Sequence, residues 1–121
     1  MKKIAILICK NVSNKCTGSG CFKAFNQKKD AFEGYSDEIE LSSFTHCSGC
    51  DEEAEELLEK KIQKWRDTGI DTVHLSTCIR GRCHLYETWA KQLSEDFNVI
   101  GYTHGSAEGK KGNNINLPKE C

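Results

Sequence analysis

Short apolar runs alternate with amphipathic stretches along the chain. The first apolar run, from Ile4 to Ile8, is nearly continuous, which is typical of a strand that is covered on both faces. Shorter runs predict further strands over residues 38–44, 71–76 and 98–103. Each of these runs is short and is followed by polar or glycine-containing sequence, as expected for the strands of an α/β protein.

Three amphipathic stretches separate the predicted strands. The clearest one has apolar residues at 3- and 4-residue spacing, and its charges change from acidic to basic along its length, which suits a helix dipole. Its apolar face consists of Ala54, Leu57, Leu58, Ile62 and Trp65. A second helix is predicted around Phe22 and Phe25, with Phe32 loosely in register, and a third has the face Leu85, Tyr86, Trp89, Ala90 and Leu93.

The alternation of strands and helices predicts an α/β protein built from βαβ units. We expect a three-layer α/β/α sandwich with a mostly parallel sheet of about four or five strands. Residues 1–105 form the predicted domain. Residues 106–121 are rich in Gly, Asn and Lys and lack periodicity, so we expect a polar, loosely ordered C-terminal tail.

The charge balance indicates neither a nucleic-acid partner nor a membrane partner. The chain has 17 basic and 18 acidic side chains and a formal net charge of -1, whereas both partners favour a basic surplus. No apolar run approaches the ~20 residues of a membrane helix. The run before Cys9 is too short for a signal peptide and has no small-residue cleavage site, so the sequence predicts a cytoplasmic protein.

The cysteine content is the strongest compositional signal, with eight cysteines in 121 residues. In a chain without a secretion signal, this number indicates metal or redox chemistry rather than disulfides. The cysteines are Cys9, Cys16, Cys21, Cys47, Cys50, Cys78, Cys83 and Cys121.

Seven of these cysteines follow the carboxyl end of a predicted strand. Ligands of parallel sheets gather at that edge, and strands ~4.8 Å apart can bring thiols from neighbouring loops to one ion. The motif Cys47-Ser48-Gly49-Cys50 can chelate a metal with two sulfurs. With Cys9 and Cys78 it would form the four-thiolate set that zinc prefers. Cys16, Cys21, Cys83, His46 and His104 would then be left to supply further ligands or a second site, to support the ligands of the first, or to form a redox pair.

Four segments together resemble one known family, the CGGC domain. They are the strand ending in Cys9, the Cys47–Cys50 motif, the segment 74–78 with Cys83 beyond it, and the late Tyr102-Thr103-His104. The resemblance covers residues 2–105, although Ser48 stands where the name motif has glycine, and Tyr102 where we would expect glycine before Thr-His. It implies a metal-binding, zinc-binding domain rich in Cys and His.

Alternative functions remain open at this point. Thiolate-rich sites also suit iron–sulfur clusters, and Cys47 and Cys50 could serve a thiol-disulfide oxidoreductase. The only proline, Pro118, lies in the tail, which argues against the cis-proline loop of thioredoxin-like enzymes. A phosphatase-like C-x5-R loop starting at Cys9 would need arginine at position 15, where the chain has Lys15. The residues alone assign no reaction.

Overall fold

The computed structural model describes residues 2–36, 38–47 and 53–120. The strands are β1 (Lys2–Ile8), β2 (Ile39–His46), β3 (Ile70–Leu75) and β4 (Asn98–Ile100). The helices are α1 (Lys10–Ser13), α2 (Ser19–Gln27), α3 (Ala54–Thr68), α4 (Thr77–Arg82) and α5 (Tyr86–Ser94), and a 3₁₀ helix spans Asp30–Phe32.

Within these residues the strands form one parallel sheet in the order β2-β1-β3-β4. β1 lies at the centre, where Ile8 pairs with His46 of β2 and Leu7 pairs with Leu75 of β3. The predicted α/β fold with a mostly parallel sheet is therefore confirmed. The central position of β1 explains why its apolar run is continuous, since both of its faces are covered.

Alternate residues of β1 face two separate hydrophobic cores. Ala5 and Leu7 belong to a core that includes buried residues of α3, α4 and α5. Ile4, Ile6 and Ile8 belong to a second core with α2 and the 3₁₀ helix. We call these the α3/α5 core and the α2 core. Because strand side chains alternate between faces, the two cores place helices on both sides of the sheet.

The helices differ from the prediction in two places. Residues 77–82 form α4, although the sequence gives them no apolar periodicity, and residues 10–13 form the short helix α1. The helix α4 begins because the hydroxyl of Ser76 accepts a hydrogen bond from the backbone N–H of Ile79. No helix in the described ranges is long and apolar enough to cross a membrane.

β4 is also shorter than predicted, ending at Ile100 instead of residue 103. At Gly101 the chain meets Tyr86, whose hydroxyl donates to the Gly101 carbonyl oxygen at 2.8 Å. An added Cβ at Gly101 would lie 2.0 Å from that hydroxyl oxygen, so only glycine fits. β4 therefore ends at this contact, and residues 102–104 turn toward the cysteines.

The C-terminal segment is held against the domain, contrary to the expectation of a loosely ordered tail. Leu117 exchanges two backbone hydrogen bonds with Val99 of β4, at 2.8 and 2.9 Å. The Ile115 N–H donates to the Tyr86 hydroxyl at 3.0 Å. In the C-terminal segment these bonds are made by backbone groups. They leave no pattern of apolar residues in the sequence, so the attachment of the segment could not be predicted. The predicted division of the chain after residue 105 remains a prediction.

Candidate metal centre

The carboxyl ends of β1, β2 and β3 stop at nearly the same level. The Cys47 N–H donates to the carbonyl oxygen of Ile8 at 2.8 Å, and the Ser76 N–H donates to that of Leu7 at 2.9 Å. The residues that leave the sheet at this rim are Cys9, Cys47 and Ser76, with Cys78 two positions further along. The parallel register therefore brings three cysteine-bearing segments to one edge, as the fold rule predicts.

Cys9 and Cys47 form the first part of the site, at the ends of two paired strands. The Cys47 thiol is only 8% exposed and accepts a hydrogen bond from the Lys10 N–H at 3.4 Å. Metal ions bind the thiolate form of cysteine. Cys9 and Cys83 pack against the same α3/α5 core as Cys47. Cys50, the second cysteine of the motif, lies outside the described residues.

Lys61 of α3 adds a positive charge beside Cys47. Its ammonium donates to the carbonyl oxygen of His46. Burial lowers the pKa of Lys61, while the charge of Cys47 opposes that change. The imidazole of His46 contacts the backbone of the next residue, with Nδ1 2.7 Å from the carbonyl oxygen of Cys47. The first part of the site thus combines a nearly buried sulfur, a backbone donor and a partly buried cation.

Cys16, Cys21 and Cys78 form a second part, which we call the Cys21 group. Cys21 is 4% exposed, and its sulfur lies 3.2 Å from Oγ1 of Thr103. Burial raises the pKa of Cys21, as do the charges of Cys78 and Cys16, whereas the hydrogen bond to Thr103 lowers it. The Cys78 sulfur lies 2.7 Å from Oγ of Ser76, and the exposed Cys16 accepts from the Gly18 N–H at 3.3 Å.

Two threonines connect the Cys21 group to the end of β4. The Thr77 hydroxyl donates to the His104 carbonyl oxygen at 2.6 Å and accepts from the His104 N–H at 3.1 Å. The Thr77 N–H in turn donates to Oγ1 of Thr103 at 3.4 Å. The ring of His104 lies over the start of α2, since an added Cβ at Gly20 would be 3.2 Å from its Nε2. His104 therefore stands beside the second part of the site.

The structure divides the predicted ligands between the two faces of the sheet. Cys9, Cys47 and Cys83 pack against the α3/α5 core, whereas Cys21 and Cys78 pack against the α2 core. Cys21 and Cys78 also lie inside the first turns of α2 and α4, although the sequence placed them in loops. Among the described side chains, no three metal-ligating groups converge on one point. The individual ligands therefore remain predictions.

Sequence reasoning missed the hydroxyl groups that hold these thiols in place. Ser76, Thr77 and Thr103 are all buried or half-buried at the rim and bond to cysteines or to each other. The available signal was the sequence Ser76-Thr77-Cys78 directly after a strand, because Ser and Thr begin helices at such positions. The arrangement can present cysteine sulfurs to an ion or to a reactive partner.

Comparison with known proteins identifies one matching family and a similar protein. A family model described as "CGGC domain" matches residues 3–104. An uncharacterized protein of Methanocaldococcus jannaschii is 32% identical over 106 residues, covering 80% of each chain. No solved structure matches the chain.

Proposed function

The chain belongs to the CGGC domain family, and on that premise we propose that it is a zinc-binding protein whose site lies at the rim of the sheet. The ligands in this proposal are the thiolates of Cys9, Cys47, Cys50 and Cys78. Thiolate sulfur is a soft ligand that suits zinc, and four thiolates complete its preferred tetrahedral coordination.

One observation carries the proposal, which is the position of Cys9 and Cys47 at adjacent strand ends. The residues before them, Ile8 and His46, are paired in the sheet, and the N–H that follows Cys9 is bonded to the Cys47 sulfur. Two rigid neighbouring strands therefore present the two cysteines side by side. The spacing of the C-x-x-C motif adds Cys50 as a chelating partner of Cys47.

Cys78 is the fourth ligand in the proposal because it follows β3, the other neighbour of β1. Its side chain packs on the α2 side of the sheet, so zinc would bridge the two faces across the end of β1. Bound zinc would join the loops that leave three strands and so stabilise the rim. The Lys61 ammonium, which lies beside Cys47 and donates to the His46 carbonyl oxygen, would balance part of the negative charge of a zinc–thiolate centre. Zinc held by four protein thiolates has no open coordination position for a substrate, so the proposed function is binding or structural stabilisation.

The test is metal analysis of protein purified without oxygen. We expect a colourless protein with about one zinc per chain, measured by mass spectrometry of the metals. Broad visible absorption together with bound iron and sulfide would indicate an iron–sulfur cluster instead of zinc. A metal-free protein with a titratable disulfide between Cys47 and Cys50 would instead support a thiol-disulfide oxidoreductase. Either result overturns the zinc proposal.

Single serine variants test the ligand set. Cys9→Ser, Cys47→Ser, Cys50→Ser and Cys78→Ser should each lower zinc content or weaken zinc retention against a chelator by about 10-fold or more. Cys121→Ser is the matched control, because the last residue of the chain has no role in the proposal and should leave zinc unchanged. Equal retention in Cys47→Ser and Cys121→Ser would contradict the proposal.

A further inference from the structure

A cavity of about 340 Å³ lies beside the thiol site, between α4 and the glycine-rich segment that follows β4. Its walls are contributed by residues of both elements: Thr77, Arg80, Gly81, Gly105, Ser106, Gly109, Lys110, Lys111 and Asn113. Three of these residues are basic and none is acidic. The composition of the walls is thus unlike that of the chain as a whole, which is nearly neutral.

Arg80 is a buried cation with no carboxylate partner among the described residues. It is 5% exposed, and its guanidinium donates to the carbonyl oxygens of Ser106 and Ala107 and to Oδ1 of Asn114, at 3.0, 3.3 and 2.8 Å. All three acceptors are neutral oxygens. The Tyr102 ring, 4.9 Å away, covers the guanidinium without neutralising it. Buried charges are normally compensated, so this one leaves a positive potential at the cavity wall.

Two lysines add to this potential at the exposed side of the cavity. Lys111 holds its ammonium against the wall by donating to the Gly81 carbonyl oxygen at 2.7 Å, and Lys110 precedes it in the same segment. Two carboxylates stand near the lining: Asp30, whose Oδ2 accepts from the Gly105 N–H at 3.1 Å, and Glu108, which lies in the chain between the wall residues Ser106 and Gly109. Three cations in the walls against two peripheral carboxylates leave a net positive cavity.

We propose that this cavity binds a phosphate group. Arginine and lysine side chains are the usual partners of phosphate in proteins, and a doubly charged oxyanion would compensate Arg80 together with the two lysines. The site is independent of the proposed metal ligands that the structure describes, because none of those cysteines lines it. Thr77 lines the cavity and also bonds to Thr103, which contacts Cys21. A phosphate-bearing small molecule would therefore lie next to the Cys21 group.

The test is calorimetric titration of the full-length protein with inorganic phosphate at constant ionic strength. We expect saturable binding of one phosphate per chain. The double variant Lys110→Gln/Lys111→Gln should weaken binding by about 10-fold, because it removes two of the three charges. The matched control is Lys60→Gln/Lys64→Gln, which removes two exposed lysines from α3 and should leave affinity unchanged. Absent binding, or equal losses in both double variants, would overturn the proposal.

The variant Asp30→Asn tests the opposite effect, an increase in phosphate affinity. It removes one carboxylate beside the cavity and keeps a residue that tolerates the positive φ of 54° at this position. Phosphate should then bind several-fold more tightly, and unchanged or weaker binding would contradict an electrostatic site. Arg80 is left intact in both experiments because its loss would disturb the fold.

Two further probes identify the source of the phosphate. Tighter binding of phosphoserine than of inorganic phosphate would indicate a phosphoester ligand, whereas the reverse order would indicate free phosphate, and both orders support the site. Acetate binding as tightly as phosphate would overturn the assignment to phosphate. Zinc content is measured on the same samples, and because the two lysines are not thiol ligands, failure of the zinc proposal leaves this result interpretable.

Discussion

The hydroxyl of Tyr35 lies 2.8 Å from Nε2 of His74, while Nδ1 of the same ring lies 3.0 Å from the carbonyl oxygen of Tyr102. Since a carbonyl only accepts, Nδ1 carries the proton and Nε2 accepts from Tyr35. His74 is fully buried in β3 and stacks on Phe32, with ring centroids 4.4 Å apart. The imidazole therefore ties the α2 side of the protein to the turn that presents Thr103.

Tyr35→Phe should destabilise the protein by about 1–2 kcal/mol, because it leaves a buried ring nitrogen without its donor. The measurement is urea unfolding followed by circular dichroism. Ser42→Ala is the control, since its hydroxyl bonds to Glu40 at an exposed position and should change stability by less than about 0.5 kcal/mol. Equal effects of the two substitutions would show that the buried bond contributes nothing measurable.

Stability should fall as the pH is lowered from 6.5 towards 4. Burial lowers the pKa of His74 from 6.5 to about 4. Between pH 6.5 and pH 4 the His74 imidazole is protonated in the unfolded chain but stays neutral in the folded protein. Acid therefore lowers the free energy of unfolding, by up to about 3 kcal/mol at pH 4. Urea unfolding across this range, with chelator present to remove metal effects, should give a steeper pH dependence for the native sequence than for His74→Gln. Identical slopes would contradict the assignment.

The cysteines should differ strongly in their reactivity towards iodoacetamide. Cys16 is exposed and should be modified first, whereas Cys21 is buried with a raised pKa and should be modified among the last. Peptide mapping of metal-free, folded protein at pH 8 measures both rates. Thr103→Val removes the hydrogen bond that lowers the Cys21 pKa, and should slow Cys21 further without changing Cys16. Modification of Cys21 as fast as Cys16 would argue against the described packing.

Gly109→Ala should destabilise the protein more than Gly112→Ala. Both glycines have a positive φ, of 74° and 63°, and either alanine costs about 1 kcal/mol for the backbone alone. At Gly109, however, the added Cβ would lie 2.9 Å from Cζ of Arg80, whereas nothing stands within 4 Å at Gly112. We expect about 1–2 kcal/mol of additional loss at Gly109, with faster proteolysis after residue 105. Equal unfolding free energies would mean that the segment adjusts freely.

The sequence predicted the sheet well because strand burial leaves a direct trace in composition. The continuous run in β1 indicated a central strand, and the apolar face of α3 indicated a helix against it. Helix α4 left no such trace, since it begins through a single Ser76 hydroxyl bond and contains Gly81. The anchoring of the C-terminal segment also left no trace in the sequence pattern, because it depends on backbone groups and on Arg80.

The predicted topology placed the cysteines at the carboxyl edge of the sheet but did not predict how they are arranged along that edge. Parallel connections alone place Cys9 and Cys47 at one rim. The division of the thiols between two faces depends on where α2 and α4 begin, which decides the direction of Cys21 and Cys78. Pairing of a threonine with a buried thiol, as between Thr103 and Cys21, is a tertiary contact across 82 positions and has no local signature.

The two hydrogen bonds between Val99 and Leu117 cover the outer side of β4. A chain shortened before Leu117 would leave the N–H and C=O of Val99 bare, and such groups are a template on which another molecule can add a strand. Self-association of the shortened protein, rather than simple loss of a tail, is the behaviour to expect when residues are trimmed from this terminus.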